Sequence, residues 1–203
     1  MQTLEQYLKQ INDLTGDRNY TAAKALCDEA IAAYPNEAKL YCAKARVFWW
    51  EGHMTNLLAE FDTLLNKAVS LDTHYAEPYK MWAVTQSIKG NADKAIQFFT
   101  KALEADPTDK EAHLLRGQER LSIKDYQGAI EDCSACISSF PTENLNLVQK
   151  DMLADAYERR GKARQALNQR EEALHDFQKV IELKPEYDYI KQNIEQLQKE
   201  LGR

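Results

Sequence analysis

Two of the four cysteines, Cys133 and Cys136, form a C-x-x-C pair, a spacing that can bind a metal or exchange a disulfide. Both fall in the middle of a predicted helix, whereas a redox pair is expected at a helix N-terminus, where the thiolate is stabilised. A metal would need two further ligands nearby, and Cys27 and Cys42 lie too far away along the chain. We therefore predict that Cys133 and Cys136 are small apolar core residues and that there is no metal site.

The remaining residue types with catalytic potential show no catalytic arrangement. The four histidines share no metal-ligand spacing, and they are His53, His74, His113 and His175. The sequence has no glycine-rich phosphate loop, nucleophile elbow or Cys/His pairing. Acidic pairs such as Glu171-Glu172 fall on predicted outer helix surfaces, where a solvated role is expected. We predict that the protein is not an enzyme and has no catalytic residue and no cofactor.

The elements that position these residues are copies of one pattern: a small residue, a bulky one four later, a small one three later and a proline five later. The copies are Ala23, Cys27, Ala30 and Pro35; Ala95, Phe99, Ala102 and Pro107; Ala129, Cys133, Cys136 and Pro141; and Ala173, Phe177, Val180 and Pro185. A period near 34 residues is typical of a solenoid of helix-turn-helix repeats. We predict one domain over 1–203, with repeats at roughly 2–36, 37–73, 74–107, 108–141 and 143–185 and a capping helix at 186–201.

Within this scheme the pattern predicts individual helices. In the third repeat, helix A is expected at 74–89, the turn at Gly90-Asn91 and helix B at 92–105. Repeat two has a longer connection, GHMTNLLAEF, between its helices. Ten extra residues, NLNLVQKDML, precede the fifth repeat, and we expect them to extend its helix A over 143–167. Gly117 and Gly161 fall where the two helices of a hairpin cross, and small residues there permit a close approach.

The chain resembles the tetratricopeptide-repeat family. The resemblance is clearest in Tyr79, Trp82, Ala83 and Gln86 of helix A and in Ala95, Phe99, Ala102 and Pro107 of helix B. It implies an all-α fold, a right-handed α-solenoid of about five repeats plus the cap. In such a solenoid the A helices line a concave groove. We therefore expect a non-catalytic adaptor or scaffold that binds a peptide or protein segment there.

Helix A positions two, five, nine and twelve of each repeat are expected to face the groove. The candidate partner-binding residues are Arg46, Trp49, Lys80, Val84, Leu114, Gln118, Leu121, Glu158, Arg159 and Lys162. The apolar and cationic members together favour a ligand with an apolar anchor and nearby acidic groups. For Trp49 an alternative remains, because Trp49 and Trp50 could instead pack against the long connection of repeat two or the N-terminal helix.

A second possibility is a co-chaperone function. Members of the family that hold the C-terminal carboxylates of heat-shock proteins use a clamp of three A helices with Lys and Asn, then Asn, then Lys and Arg. In that register Lys80 and Arg159 match, whereas Val84 and Leu115 replace the asparagines and Asp155 replaces the second lysine. Asp155 would repel a ligand carboxylate.

Composition narrows the class of partner. The chain has 203 residues, of which 44% are hydrophobic, and a net charge of −6, which argues against nucleic acid and anionic membranes. It has no apolar run of the roughly 20 residues needed to cross a bilayer, and its N-terminus lacks signal-peptide features. We expect a cytoplasmic protein, unless a leader has been removed, that is a monomer or weak homodimer with a protein or peptide partner. A self-associating structural module and a regulatory fragment of a larger enzyme remain as alternatives.

Overall fold

The computed structural model describes residues 2–51, 58–141 and 143–202, and these residues form eleven helices and no strand. The helices are α1 (Leu4–Gly16), α2 (Tyr20–Ala33), α3 (Ala38–Trp50), α4 (Leu58–Leu71), α5 (Glu77–Ile88), α6 (Ala92–Ala105), α7 (Lys110–Ser122), α8 (Tyr126–Ser138), α9 (Leu147–Ala166), α10 (Arg170–Leu183) and α11 (Asp188–Glu200). Their contacts group the chain into two compact units, Met1–Pro78 and Tyr79–Arg203, which we call unit 1 and unit 2.

Unit 1 consists of successive antiparallel hairpins. Helix α1 packs on α2 and also on α3, the first helix of the next hairpin, and α3 packs on α4. The side chains of Ile11, Cys27, Leu40 and Val47 are fully or almost fully buried between α1, α2 and α3. Burial of such apolar side chains is the main source of stability for a helical repeat, since one hairpin alone cannot cover its own apolar face.

Unit 2 repeats this arrangement along the chain. Helices α6 to α11 each pack on the next, and α7 also lies beside α9, so one A helix contacts the A helix of the following repeat. The last cluster buries Phe177 and Val180 of α10 with Ile190 and Leu197 of α11. Helix α11 therefore covers the apolar edge of the fifth repeat, as a capping helix must.

Four of the turns between helix A and helix B share one backbone conformation. In four hairpins a single residue has a positive φ, at Arg18 (59°), Gly90 (74°), Lys124 (66°) and Asn168 (60°). The left-handed region costs a residue with a Cβ more than it costs glycine, so only Gly90 adopts it freely. These four positions are equivalent, which makes the turn a property of the repeat and not of one local sequence.

Two glycines allow the hairpin helices to approach closely. A Cβ added at Gly161 would lie 2.8 Å from Cε1 of the buried Phe177, and one added at Gly117 would lie 3.1 Å from Sγ of Cys133. Each glycine is on helix A and each neighbour is on helix B of the same repeat. The prediction that small residues are needed at these crossings is confirmed.

In the fourth and fifth repeats, ion pairs to a buried aspartate join helix A to helix B in addition to the apolar contacts. Nη2 of Arg116 lies 2.6 Å from Oδ1 of the buried Asp132, and Nη1 of Arg120 lies 3.0 Å from Oδ2 of the same carboxylate. Burial raises the pKa of Asp132, but hydrogen bonds from His113 and Arg116 and the charges of both arginines outweigh it. The net effect holds this pKa below its usual value.

The fifth repeat contains the same arrangement. Arg160 donates two hydrogen bonds to Asp176, at 2.7 and 3.0 Å, and Nη1 of Arg164 donates to Oδ2 of Asp176 at 2.7 Å. Nη1 of Arg160 also donates to Oγ of Ser134 in α8, helix B of the preceding repeat. Arg160 therefore joins the helices of its own repeat and ties that repeat to the one before it, and Arg116 does the same because its Nη1 donates to Oγ of Thr100 in α6.

Three helices have bounds that differ from the predicted ones. Helix α9 begins at Leu147 and not at 143, because Asn146 caps it: the Asn146 side chain accepts from the N–H of Gln149, and the Gln149 side chain accepts from the N–H of Asn146. Helix α5 begins at Glu77 and not at 74, with Pro78 in the first turn, where a missing N–H costs nothing. The cap occupies Asp188–Glu200, slightly less than predicted.

One predicted helix has the expected bounds, and part of another predicted segment lies outside the described residues. Helix α6 has the predicted bounds of 92–105. The first six residues of the long connection in repeat two, 52–57, lie outside the described residues. Among the helices that the structure describes, none combines the length and the apolar character needed to span a bilayer.

Candidate functional site

The predicted partner-binding residues of unit 2 lie on α5, α7 and α9, the A helices of repeats three to five. We call the surface that carries them the helix A face of unit 2. Its members are Lys80, Val84, Leu114, Gln118, Leu121, Glu158, Arg159 and Lys162. Three of the contacts below join one A helix to the next, and they show that these side chains lie along neighbouring helices.

Lys80 of α5 is bonded to carboxylates of the next repeat. Its Nζ lies 2.9 Å from Oδ2 of Asp109 and 3.1 Å from Oε2 of Glu111, and its side chain is only 17% exposed. Further along the same two helices, Oγ of Ser87 donates to Oε1 of Glu119. The lysine that the sequence offers to a ligand is therefore part of an internal ion pair.

Arg159 of α9, like Lys80, is bonded to other groups of the chain. Its Nη2 lies 3.4 Å from Oδ2 of Asp155, and its Nη1 donates to the carbonyl oxygen of Leu114 in α7 at 3.4 Å. Burial raises the pKa of Asp155, with the charge of Arg159 opposing that shift and the charge of Glu158 adding to it. The position at which a carboxylate clamp needs a lysine therefore carries a half-buried acid next to Arg159.

At the C-terminal side of this face, Glu158 accepts two hydrogen bonds. Nζ of Lys162 donates to Oε1 at 2.5 Å, and the hydroxyl of Tyr189 in α11 donates to Oε2 at 2.8 Å. Burial and the hydrogen bond to Glu158 both raise the pKa of Tyr189. Tyr189 is a residue of the candidate site that the helix A pattern does not predict, since it lies on α11. The available signal was its position, 31 residues after Glu158, the spacing that also separates Lys80 from Glu111.

The apolar members of the face have different environments. Leu114 is only 5% exposed and packs in the core with Cys136, Phe140 and Leu153, so the expectation that it offers apolar surface to a ligand is wrong. It occupies a position where α7 meets α8 and α9, which cover its side chain. Val84, Gln118 and Leu121 are half-buried and retain accessible surface.

Unit 1 holds the other two candidate residues, Arg46 and Trp49 of α3. Nη2 of Arg46 lies 3.3 Å from Oε1 of Glu77. Trp49 is half-buried and its ring meets that of Trp50 edge to face, with centroids 4.9 Å apart, while Trp50 itself is 56% exposed. Cys42 of the same helix is fully buried.

The cysteines have the environment of core residues. All four are free and buried, and burial raises the pKa of Cys133 to about 12 and that of Cys136 to about 11. Such thiols are protonated at neutral pH and unsuited to nucleophilic or metal chemistry. His113 packs with its Nδ1 3.2 Å from Oδ1 of Asp132 and its Nε2 3.1 Å from the carbonyl oxygen of Pro107. Among the described residues no cluster of His, Cys, Asp or Glu could hold a metal ion.

Stacked two-helix repeats, with α1 beside α3 in unit 1 and α7 beside α9 in unit 2, are typical of an all-α solenoid. Comparison with known families narrows the class, because residues 83–109 and 154–187 each match the tetratricopeptide repeat. Residues 83–109 and 154–187 are therefore tetratricopeptide repeats.

Similar proteins extend this assignment. RNA polymerase II-associated protein 3 of Mus musculus is 34% identical over 98 residues, which are 48% of this chain and 13% of the mouse protein. The solved first tetratricopeptide domain of Spaghetti (RPAP3), bound to the HSP90 peptide SRMEEVD, is 26% identical with a TM-score of 0.56 and covers 65% of this chain and 97% of that domain. The crystal structure of MamA has the same fold, with a TM-score of 0.63 and 20% identity over 90% of this chain and 92% of MamA.

Proposed function

We propose that this protein is a non-catalytic interaction adaptor whose helix A face of unit 2 binds a peptide or protein segment. The family assignment supports an interaction function, because tetratricopeptide repeats are generally adaptors. The Spaghetti domain supports a peptide as the ligand, because it was solved with one bound and covers about two thirds of this chain.

The observation that carries the proposal is the pair of half-buried apolar side chains, Val84 and Leu121, on helices whose polar groups are already bonded to one another. A ligand gains little from groups that must first break an ion pair, whereas covering apolar surface stabilises a complex without such a cost. Gln118 lies on the same helix as Leu121 and can both donate to and accept from a peptide backbone. The ligand is therefore anchored by an apolar side chain.

The same contacts argue against a carboxylate clamp. An acidic ligand would have to displace Asp109 and Glu111 from Lys80 and Asp155 from Arg159. Val84 and Leu115 supply no hydrogen bonds where the clamp needs asparagines. A charged ligand would have to replace one partner in each of these ion pairs. The charges therefore contribute more to the choice of ligand than to the strength of binding.

The proposal is tested with short peptides selected against the full chain from a display library. Replacing Val84 and Leu121 together by glutamine removes the apolar anchor while keeping the net charge. We expect the dissociation constant of the selected peptides to rise at least about tenfold, as at interface hot spots. The matched control is Ile123→Gln, at a 45% exposed apolar residue just beyond the end of α7.

Isothermal titration calorimetry measures the affinities, and a thermal melt of each variant checks that it is folded. If the doubly substituted protein is folded and binds the peptides as tightly as the unsubstituted protein, the helix A face of unit 2 is not the binding surface.

A further inference from the structure

A cavity of about 660 Å³ opens in unit 1, where the end of α1 and its turn face the end of α3. Its polar and aromatic lining comes from Asn12, Thr15, Arg18, Tyr20, Arg46 and Trp50. The volume lies within the range of small-ligand sites, about 300–1,000 Å³. All of these residues belong to unit 1, so the cavity shares no residue with the helix A face of unit 2.

Two guanidinium groups give this cavity its charge. Arg18 is exposed, and its side chain makes no hydrogen bond or ion pair within the part of the chain that the structure describes. Arg46 donates from Nη2 to Glu77, which uses only part of the five N–H donors of a guanidinium. Two arginines on one cavity favour an anion with several acceptor oxygens.

The contact between Glu77 and Arg46 favours a phosphate over a carboxylate as the anion in this cavity. A carboxylate ligand has the same charge as Glu77 and offers two oxygens, so it would compete with a side chain already bonded to Arg46. A phosphate monoester offers three acceptor oxygens, so one oxygen can accept from the N–H donors of Arg46 that Glu77 does not use while another accepts from Arg18.

The aromatic residues of the cavity indicate what carries the phosphate. Trp50 is 56% exposed, an unusual position for the largest apolar side chain, and its ring is held by the edge-to-face contact with Trp49. Tyr20 lines the same cavity. Aromatic rings favour offset-stacked or edge-to-face partners, so a flat ring is the natural occupant of the space beside Trp50.

We propose that this cavity binds a phosphorylated tyrosine side chain of a peptide, with the phosphate on Arg18 and Arg46 and the ring against Trp50. Asn12 lines the same cavity, and its side-chain amide can supply a further N–H donor for a phosphate oxygen. The site is independent of the proposed function of unit 2, and the adaptor would then hold two segments at two places.

The test uses the full chain and a fluorescently labelled peptide that carries phosphotyrosine, followed by fluorescence anisotropy. The same peptide without phosphate and the same peptide with phosphoserine are the comparison ligands. We expect the phosphotyrosine peptide to bind at least about tenfold more tightly than either, since one loses the charge-assisted hydrogen bonds and the other loses the ring. Equal binding of all three peptides, or no binding of any, would overturn the proposal.

The structure supplies a matched pair of variants. Arg18→Asn keeps the backbone unstrained, because Asn168 has a φ of 60° at the equivalent turn position, and Lys124→Asn makes the same change in a turn outside the cavity. We expect Arg18→Asn to weaken phosphotyrosine binding about tenfold or more and Lys124→Asn to leave it unchanged. Trp50→Leu should remove the preference for phosphotyrosine over phosphoserine. Unchanged binding in Arg18→Asn, or equal losses in Arg18→Asn and Lys124→Asn, would contradict the assignment.

Discussion

On the helix A face of unit 2, whether a side chain is available to a ligand depends on its bonding partners as well as on its residue type. Lys80 and Arg159 have the residue types of a carboxylate clamp, but Lys80 is bonded to Asp109 and Glu111, and Arg159 to Asp155. Residue types could be read from the sequence. Their pairing could not, because it depends on which residues one repeat apart come into contact when hairpins stack.

This account predicts a gain of function. Changing Val84→Asn, Leu115→Asn and Asp155→Lys together would supply the three missing clamp groups and remove the acid beside Arg159. The peptide SRMEEVD should bind the unsubstituted protein weakly and the triple variant at least about tenfold more tightly, since each charge-assisted hydrogen bond contributes about 1.5–3 kcal/mol. Calorimetric titration measures the change, and tight binding to the unsubstituted protein would show that the missing groups are not required.

A second prediction concerns the buried carboxylate of Asp132. Asp132→Asn leaves Arg116 and Arg120 without their anion and should lower the free energy of unfolding by about 3–5 kcal/mol at neutral pH. Asp188→Asn, at an 84% exposed side chain paired with Lys191, is the control and should cost less than about 1 kcal/mol. Urea unfolding measures both changes.

The same carboxylate predicts a dependence on pH. The pKa of Asp132 is lower in the folded protein than in the unfolded chain, so the unfolded chain binds the proton first as the pH falls. The stability from Asp132 is therefore complete above the unfolded value of about 3.9 and is lost as the pH falls through the lower folded value. Over this range the unsubstituted protein should lose more stability than Asp132→Asn. Parallel profiles for the two proteins would exclude a contribution from this group.

At the scale of helices, the repeat pattern predicted helix bounds well where glycine and proline mark the ends of a helix, and less well elsewhere. Helix α6 has the predicted bounds of 92–105, because Gly90-Asn91 and Pro107 mark its ends. Helix α9 starts later than predicted. The ten extra residues contain no glycine or proline to mark a boundary, and the start of the helix is set by the capping side chain of Asn146. The A helices of the candidate site were identified correctly, but Leu114 was placed on the wrong side of α7 because a one-helix pattern does not show how α8 and α9 cover it.

Close packing between helices A and B leads to a further prediction. Gly161→Ala would place a Cβ 2.8 Å from Cε1 of Phe177, a fully buried ring that cannot move away freely. We expect a loss of about 1–3 kcal/mol in the free energy of unfolding, as for other overpacked cores. The matched substitution Gly16→Ala, at the end of α1, meets nothing within 4 Å and should be neutral or slightly stabilising. Equal effects of the two substitutions in urea unfolding would contradict the packing account.

For the molecule as a whole, the net charge of −6 and the stacked hairpins fit a protein that binds other proteins through its surfaces. Unit 1 presents a cavity lined by two arginines and aromatic rings, and unit 2 presents a face on which Lys80 and Arg159 are bonded to carboxylates of the chain while Val84 and Leu121 retain accessible apolar surface. Under the two proposals above, these surfaces would bind ligands of different chemistry.

The most direct test of the central claim is a map of backbone amide chemical shifts in the full chain, recorded as a library-selected peptide is added. If the helix A face of unit 2 is the binding surface, the largest changes fall on α5, α7 and α9, and around Val84, Gln118 and Leu121 in particular. Changes that fall mainly on α6, α8 and α10, with α5, α7 and α9 unaffected, would contradict the account.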